Sequence, residues 1–269
     1  MPEIAEVETV RNVLKKKILN KKIIDVNILY NKIIIGNINE FKNILINNKI
    51  IDIKRKAKWL IFELDNYYLL SHLRMEGKYF IKNNTDPIEK HEHIIITFDD
   101  NTDLRYHDTR KFGRLKIIKK EKLNNELKEL GPEVLDDINP NYLLDKLKNK
   151  KLPIKTILLD QSIISGLGNI YADEVLFASN INPLKKGSNI NIDEANKIIT
   201  TSKEIIKEAI KHGGTTIKSY TSSLGVTGSY QDYLKVHKRE NKLCKVCNSK
   251  IIRIKVNGRS TYYCPICQK

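Results

Sequence analysis

Apolar residues recur with different spacings in different parts of the chain. Behind Pro2, residues Ile4, Val7, Val10 and Leu14 return every three or four positions, which predicts an amphipathic helix. Pro2 suits a first helical position, and Glu3 and Glu6 complement the positive end of the helix dipole. From there to about residue 118 the apolar residues are Ile, Tyr, Phe and Leu in short runs, at 23–29, 50–64, 67–73, 93–98 and 104–106. Asp65-Asn66 and Asp99-Asp100-Asn101 supply turns between them, so this part predicts a β-sandwich. Leu130-Gly131-Pro132-Glu133 breaks the pattern, and helical spacing follows at 142–150, 154–160, 169–179 and 193–211, the last stopped by Gly213-Gly214. Residues 222–229 are rich in Gly and Ser and read as a mobile loop. Near the end, 251–256 and 260–263 flank Asn257-Gly258, the strongest short hairpin signal, and Arg259 follows the turn. The chain therefore reads as a multidomain α+β protein, divided at 1–131, 132–234 and 235–269.

Composition excludes several classes. With 41% hydrophobic and 30% charged residues the chain is globular rather than disordered. No run approaches the ~18 apolar residues of a membrane span. The first eight residues carry acids where a secretory signal carries bases and an apolar core, which predicts a cytoplasmic protein. Net charge is +16, and 235–269 holds ten bases against one acid, Glu240. A solvated Lys-rich surface accounts for a diffuse excess. A concentrated basic tail favours a polyanion, because each phosphate contacted releases condensed counterions.

All four cysteines lie in that tail, as Cys244-x2-Cys247, sixteen residues, and Cys264-x2-Cys267. Two CxxC pairs present four thiolates on two tight knuckles, the set that structural zinc prefers; disulfides fit a cytoplasmic chain poorly. Four protein ligands close the site, so the metal holds the fold and does not catalyse. A metal-braced hairpin with Arg259 at its tip suits a nucleic-acid backbone, although an ordinary exposed arginine has the same pattern. No phosphate-cradling Gly-rich loop is present, so no organic cofactor is expected.

The N-terminus admits two readings. Removal of Met1 before the small Pro2 would expose a secondary amine, which can add to a carbonyl-type carbon and form an iminium. An α-amino group titrates near pH ~8, so a useful fraction is unprotonated at neutral pH. Glu3 and Glu6, one turn apart, could then move protons beside it. A normal helix start uses the same residues, and composition does not separate the two.

Pro2-Glu3-Ile4-Ala5-Glu6-Val7-Glu8-Thr9 resembles the N-terminal signature of the formamidopyrimidine-DNA glycosylase family, which usually reads Pro-Glu-Leu-Pro-Glu-Val-Glu-Thr. The resemblance continues through Lys58 in Lys-Ala-Lys-Trp-Leu, the stretch Ser71-His72-Leu73-Arg74-Met75-Glu76-Gly77, and Asp108-Thr109-Arg110-Lys111-Phe112-Gly113. It then takes in Gly166-Leu167-Gly168-Asn169-Ile170-Tyr171-Ala172-Asp173-Glu174, Gly213-Gly214-Thr215-Thr216 and the cysteine hairpin. It implies an N-terminal β-sandwich, a helix-two-turn-helix domain and a zinc finger. It also implies excision of 8-oxoguanine and formamidopyrimidines from duplex DNA, with the base first leaving the stack.

By this resemblance Pro2 attacks C1′, Glu3 is the acid/base partner and Glu6 supports it; Lys58 acts in β-elimination and Arg259 in δ-elimination. Met75, Arg110 and Phe112 match the residues that fill the void left by the base. His72, Asn169 and Arg259 match phosphate ligands, His91 and Lys150 are further DNA contacts, and Lys155 matches a lysine near the lesion. Residues 216–230 would close over the extruded base. The implied partner is duplex DNA containing oxidised purines or abasic sites, bound by a monomer, since a lesion has no two-fold symmetry. Two departures stand out: Ile4-Ala5 replaces Leu-Pro, and His237-Lys238-Arg239 replaces Tyr-Gly-Arg, which removes a tyrosine that contacts phosphate. The competing readings are an endonuclease VIII-like enzyme for oxidised pyrimidines, a non-catalytic lesion-binding protein, and a zinc-ribbon RNA-binding factor. The Met75, Arg110 and Phe112 set favours the purine enzyme over the first.

Overall fold

The computed structural model describes residues 1–215 and 228–269 and forms two compact units. The first comprises Met1–Leu127 with the described part of Gly213–Gly228. It opens with α1 (Ile4–Ile18), followed by β1 (Ile23–Ile28), β2 (Ile34–Ile35), α2 (Ile38–Leu45), β3 (Asp52–Lys56) and β4 (Trp59–Glu63). Next come β5 (Tyr67–His72), β6 (Lys78–Asn83), β7 (Glu92–Phe98), β8 (Thr102–His107), β9 (Arg114–Lys119) and the single turn α3 (Leu123–Glu126). One sheet runs β1-β7-β8-β6 and is antiparallel; the other runs β2-β9-β5-β4-β3, with only β2 and β9 parallel. Val26, Ile94, Phe98 and Leu104 of the first sheet share one core with Ile53, Phe62, Leu69 and Leu115 of the second. Val7, Val10, Leu14 and Ile18 of α1 pack into the same core. The expected sandwich is present, closed along one side by the helix that carries the N-terminal signature.

Several details differ from the sequence reading, which held neither helix α2 nor strands β2 and β9. Residues 50–64 form not one strand but the β3–β4 hairpin, because Ala57 adopts a φ of 52° and Lys56 pairs with Trp59 across a two-residue turn. Such a turn normally announces itself with glycine. Here Ala57 is buried and its carbonyl accepts a bond from Arg55 Nη1 at 3.0 Å. Strand β6 also lacked a signal, because its three apolar residues Tyr79, Phe80 and Ile81 are flanked by Lys78, Lys82 and Asn83 and show no alternation.

Arg105 on β8 is the largest fully buried side chain in the structure's described part. Its guanidinium meets Glu92 and Asp103 at 3.0 Å each and donates to the carbonyls of Asn83, Asp86 and Pro87, fastening the 83–89 loop to the sheet. Arg105→Ala would leave buried Asp103 without its cation and Glu92 with Lys82 alone, a loss of about 3–5 kcal/mol. Urea unfolding of the variant checks this; a shift below about 1 kcal/mol would contradict a cooperative buried network.

The second unit comprises Lys128–His212 and Ser229–Lys269. It contains α4 (Pro140–Leu147), α5 (Ile154–Leu158), α6 (Asn169–Ala178), α7 (Ile192–Lys211), and the antiparallel hairpin of β10 (Ile252–Val256) and β11 (Arg259–Tyr263). Asn257 and Gly258 have φ of 43° and 76°, so the Asn-Gly signal is a turn of the expected kind. The Asn191 side chain caps α7 and Glu194 reciprocates, the capping-box arrangement. Phe177 of α6 packs with Val236, Ile251, Cys244 and Cys264, so the cysteine hairpin shares its interior with the helices of this unit. No helix among the described residues is long and apolar enough to cross a membrane.

Candidate active site

At the start of α1, Glu3 is the N-cap residue and follows Pro2 directly. Its amide donates to Glu6 Oε2 at 2.8 Å, and the Glu3 carboxylate accepts from the Glu6 amide in return. The other Glu6 oxygen accepts from the amide and hydroxyl of Thr215, at 2.7 and 3.0 Å. Both acids are almost fully buried. A Cβ at Gly214 would lie 2.7 Å from Glu6 Oε1, and Gly214 has a φ of 76°, so the chain passes this carboxylate only as glycine. Glu6 therefore fixes the turn through backbone and Thr215 contacts, and Glu3 is the carboxylate adjacent to Pro2. Farther along α1, burial works to raise the Glu8 carboxyl, but Arg11 and Arg55 outweigh it and hold it below its usual range. The Glu8–Arg55 pair, at 2.6 Å, ties α1 to β3.

Lys58 occupies the second position of the strained Ala57-Lys58 turn and is 6% exposed. Its neighbour Trp59 pairs with His72 of β5, the two rings meeting edge to face at 4.8 Å. Burial, then the charges of Arg74 and Lys58, lower the His72 imidazole to about 3. The ring is thus neutral at physiological pH. Because the Arg74 amide donates to Nδ1 at 3.0 Å, the proton sits on Nε2, which leaves a neutral N–H donor.

Two loops of the same unit carry Met75, Arg110 and Phe112. Met75 is half-buried in the 73–77 turn. Arg110 and Phe112 are exposed on the loop after β8, with the guanidinium 4.9 Å from the Phe112 ring centroid. His91, half-buried with a φ of 74°, stands 5.7 Å from His107 and 6.3 Å from His93 by ring centroids. His93 in turn contacts the Asp108 carbonyl at 2.8 Å. Sequence reasoning assigned no task to Asp108 or Tyr106. The available signal was an Asp two residues before a turn, which commonly ties down its own backbone.

In the second unit, Asn169 begins α6 and its Nδ2 donates to the Ser260 carbonyl at 3.0 Å, while its buried Oδ1 has no hydrogen-bond partner among the described residues. Lys155 is also buried; its ammonium bonds Asp173 at 2.6 Å and the same Ser260 carbonyl at 3.0 Å. The structure therefore brings Lys155 and Asn169 together next to Arg259, which is exposed at the hairpin tip. Lys150 lies on an exposed stretch after α4. The substituted His237 is buried, its Nδ1 2.7 Å from the second Asp173 oxygen. Glu174 accepts from the amides of Lys235, Val236 and His237; burial raises its carboxyl against those three bonds.

The four cysteine sulfurs lie within 4.8 Å of one another, with Cys244 and Cys267 at 3.9 Å and Cys247 and Cys264 at 3.4 Å. A tetrahedron with zinc–sulfur bonds near 2.3 Å has edges of about 3.8 Å, so the donor set fits zinc in number, type and size.

Comparison with known proteins decides the family. The chain matches the model of the formamidopyrimidine-DNA glycosylase N-terminal domain over residues 1–115. It also matches that family's H2TH domain over 130–221, and the zinc finger found in FPG and IleRS over 241–269. A formamidopyrimidine-DNA glycosylase of Oceanobacillus iheyensis is 44% identical, over all of this chain and 98% of that protein. The chain belongs to the formamidopyrimidine-DNA glycosylase family. Its four cysteines are the ligands of one structural zinc ion. Among solved structures, the Lactococcus lactis member bound to DNA containing an abasic site superposes with a TM-score of 0.94 at 38% identity, covering both chains entirely. MutM bound to DNA with a carbocyclic 8-oxo-G gives the same score, identity and coverage.

Proposed function

We propose that this protein is a bifunctional DNA glycosylase and abasic-site lyase of base excision repair, acting on 8-oxoguanine and formamidopyrimidines in duplex DNA. The observation that carries the reading is the N-terminal turn, in which Pro2 leads directly into the buried, mutually bonded Glu3 and Glu6 in a chain of this family. Once Met1 is removed, the Pro2 nitrogen attacks C1′, the bond from C1′ to the base breaks, and Glu3 transfers a proton as the sugar ring opens to an iminium. Loss of a C2′ proton then expels the 3′ phosphate with Lys58 assisting, and a second elimination expels the 5′ phosphate with Arg259 assisting. His72 offers its neutral N–H, and Asn169 its amide, to phosphates around the extruded nucleotide, with His91 and Lys150 as outer DNA contacts. Lys155 supports Arg259 through the Ser260 carbonyl. Met75, Arg110 and Phe112 fill the space left behind. The work divides among residues 1–131, 132–234 and 235–269 of a monomer in the cytoplasm, held near the nucleoid by its charge of +16. Residues 216–227 of the loop assigned to closure over the base lie outside the described residues.

The test is excision from duplexes carrying 8-oxoguanine or thymine glycol. Release of 8-oxoguanine at least about tenfold faster is expected, since a pocket that hydrogen-bonds one base rejects others strongly. Faster release of thymine glycol would replace this reading with the pyrimidine enzyme. Binding without strand cleavage would leave a recognition protein.

A further inference from the structure

Arg110 and Phe112 stand on a loop whose backbone hangs from one carboxylate. Asp108 is fully buried; its Oδ1 accepts from the Arg110 amide at 3.0 Å. Its Oδ2 accepts from the amides of Phe112 and Gly113 at 2.9 and 2.8 Å, and from the Tyr106 hydroxyl at 3.4 Å. Three of the five residues that follow Asp108 thus have their N–H groups fixed by it. The loop needs that support, because Lys111 takes a φ of 58°, a strained value for a side chain of that size.

Tyr106 extends the device to the second loop. A Cβ at Gly113 would lie 1.7 Å from the Tyr106 hydroxyl and one at Gly77 would lie 2.3 Å from it, so this hydroxyl sits between the two glycines. Gly77 closes the turn that holds Met75, its amide bonding the Leu73 carbonyl at 2.9 Å. Thr109 also donates to Glu76 across the same gap. The loops carrying Met75 and the Arg110–Phe112 pair are therefore locked to each other by the buried Tyr106, Gly77 and Gly113, and at the surface by Thr109 and Glu76.

We propose that Asp108, backed by Tyr106, is a positioning residue that holds Arg110 and Phe112 as a preformed wedge and so sets discrimination of the base opposite the lesion. The proposal rests on the roles given to Arg110 and Phe112 in the proposed function. Preorganisation is the physical basis: a guanidinium already stacked on Phe112 and held by its own backbone has little freedom to lose on binding. It can also present its donors to only one pattern of acceptors on the orphaned base. An Asp108 that merely stabilised the fold would lower activity on every duplex alike.

The experiment uses the full chain with zinc bound and compares wild type, Asp108→Asn, Tyr106→Phe, Arg110→Ala and the Asp108→Asn/Arg110→Ala double variant. Asparagine turns one acceptor into a donor facing the loop amides. Excision is measured with 8-oxoguanine opposite cytosine and opposite adenine. Unstacking is measured separately by 2-aminopurine fluorescence opposite a tetrahydrofuran abasic analogue, where no chemistry occurs. Asp108→Asn is expected to change the cytosine-to-adenine ratio of kcat/KM about tenfold, the size of a lost charge-assisted hydrogen bond, and to reduce the fluorescence signal. In the Arg110→Ala background the same substitution should change the ratio less than about twofold, because coupled residues are not additive. Equal losses on both duplexes, or an undiminished effect without Arg110, would overturn the proposal. If Asp108→Asn does not fold, Tyr106→Phe decides: a ratio shifted in the same direction supports the device and an unchanged ratio overturns it. Wild type that unstacks the probe in an Asp108-dependent way but releases no base would sink the proposed function and leave the wedge. Wild type that does neither overturns both.

Discussion

Met1-processed protein is expected to form a covalent complex with a duplex carrying 8-oxoguanine opposite cytosine when borohydride is present, and Pro2→Gly is expected to lower the trapping rate about 100-fold. Borohydride reduces an iminium to a stable amine, so it captures the species that a Pro2 nucleophile would form. Glycine leaves a primary amine that can still condense with the sugar. It removes the ring that fixes the backbone angle at residue 2, so the nitrogen is no longer held in one orientation at the start of the helix. A displacement of about 1 Å is enough for a loss of this size. Protein that retains Met1 should trap nothing, because its Pro2 nitrogen is an amide. Equal trapping by wild type and Pro2→Gly, with intact mass spectra showing Met1 removed from both, would place the nucleophile elsewhere and make a lysine the next candidate.

The parts of this protein that were legible in its sequence are those with local causes. Asn257-Gly258 specifies a hairpin by its own backbone preference, and the four cysteines specify a metal site by spacing. The stripe Ile4, Val7, Val10 and Leu14 specified α1. What was hidden depends on partners distant in the chain. Glu6 and Thr215 are 209 residues apart, and nothing near either one announces the contact. The Ala57-Lys58 turn was invisible because a burial-supported alanine stands where glycine is usual. The N-terminal chemistry is the sharpest case. Pro2, Glu3 and Glu6 are what an ordinary helix start requires, and only the family resemblance separated the two readings. The fold then showed the acids buried and Glu6 held from both sides.

Removal of zinc is expected to lower affinity for a lesion duplex by about 100-fold or more and to leave the β-sandwich unit folded. A structural zinc site contributes on the order of 10 kcal/mol to the segment it organises, and a two-stranded hairpin has little stability of its own. Without the metal, four thiols would remain around a core of Phe177, Val236 and Ile251. The hairpin is otherwise fastened by polar contacts to the helices of its unit. Lys155 and Asn169 hold the Ser260 carbonyl, and Gln268 donates to the Ile181 carbonyl at 3.0 Å. If the hairpin detaches, Arg259 and the other bases between 235 and 269 no longer act as one surface. The loss should therefore appear in the salt dependence as well as in affinity: each phosphate contact removed flattens the slope of log K against log salt by about 0.9. Cys247→Ser should reproduce the effect of a chelator, and restored zinc should rescue the chelated wild type but not the variant. Metal-free protein, verified by elemental analysis, that bound the duplex with unchanged affinity and salt slope would show that the basic hairpin takes no part in binding. That outcome would also remove Arg259 from the proposed second elimination, because Arg259 stands at the tip of the hairpin that zinc braces.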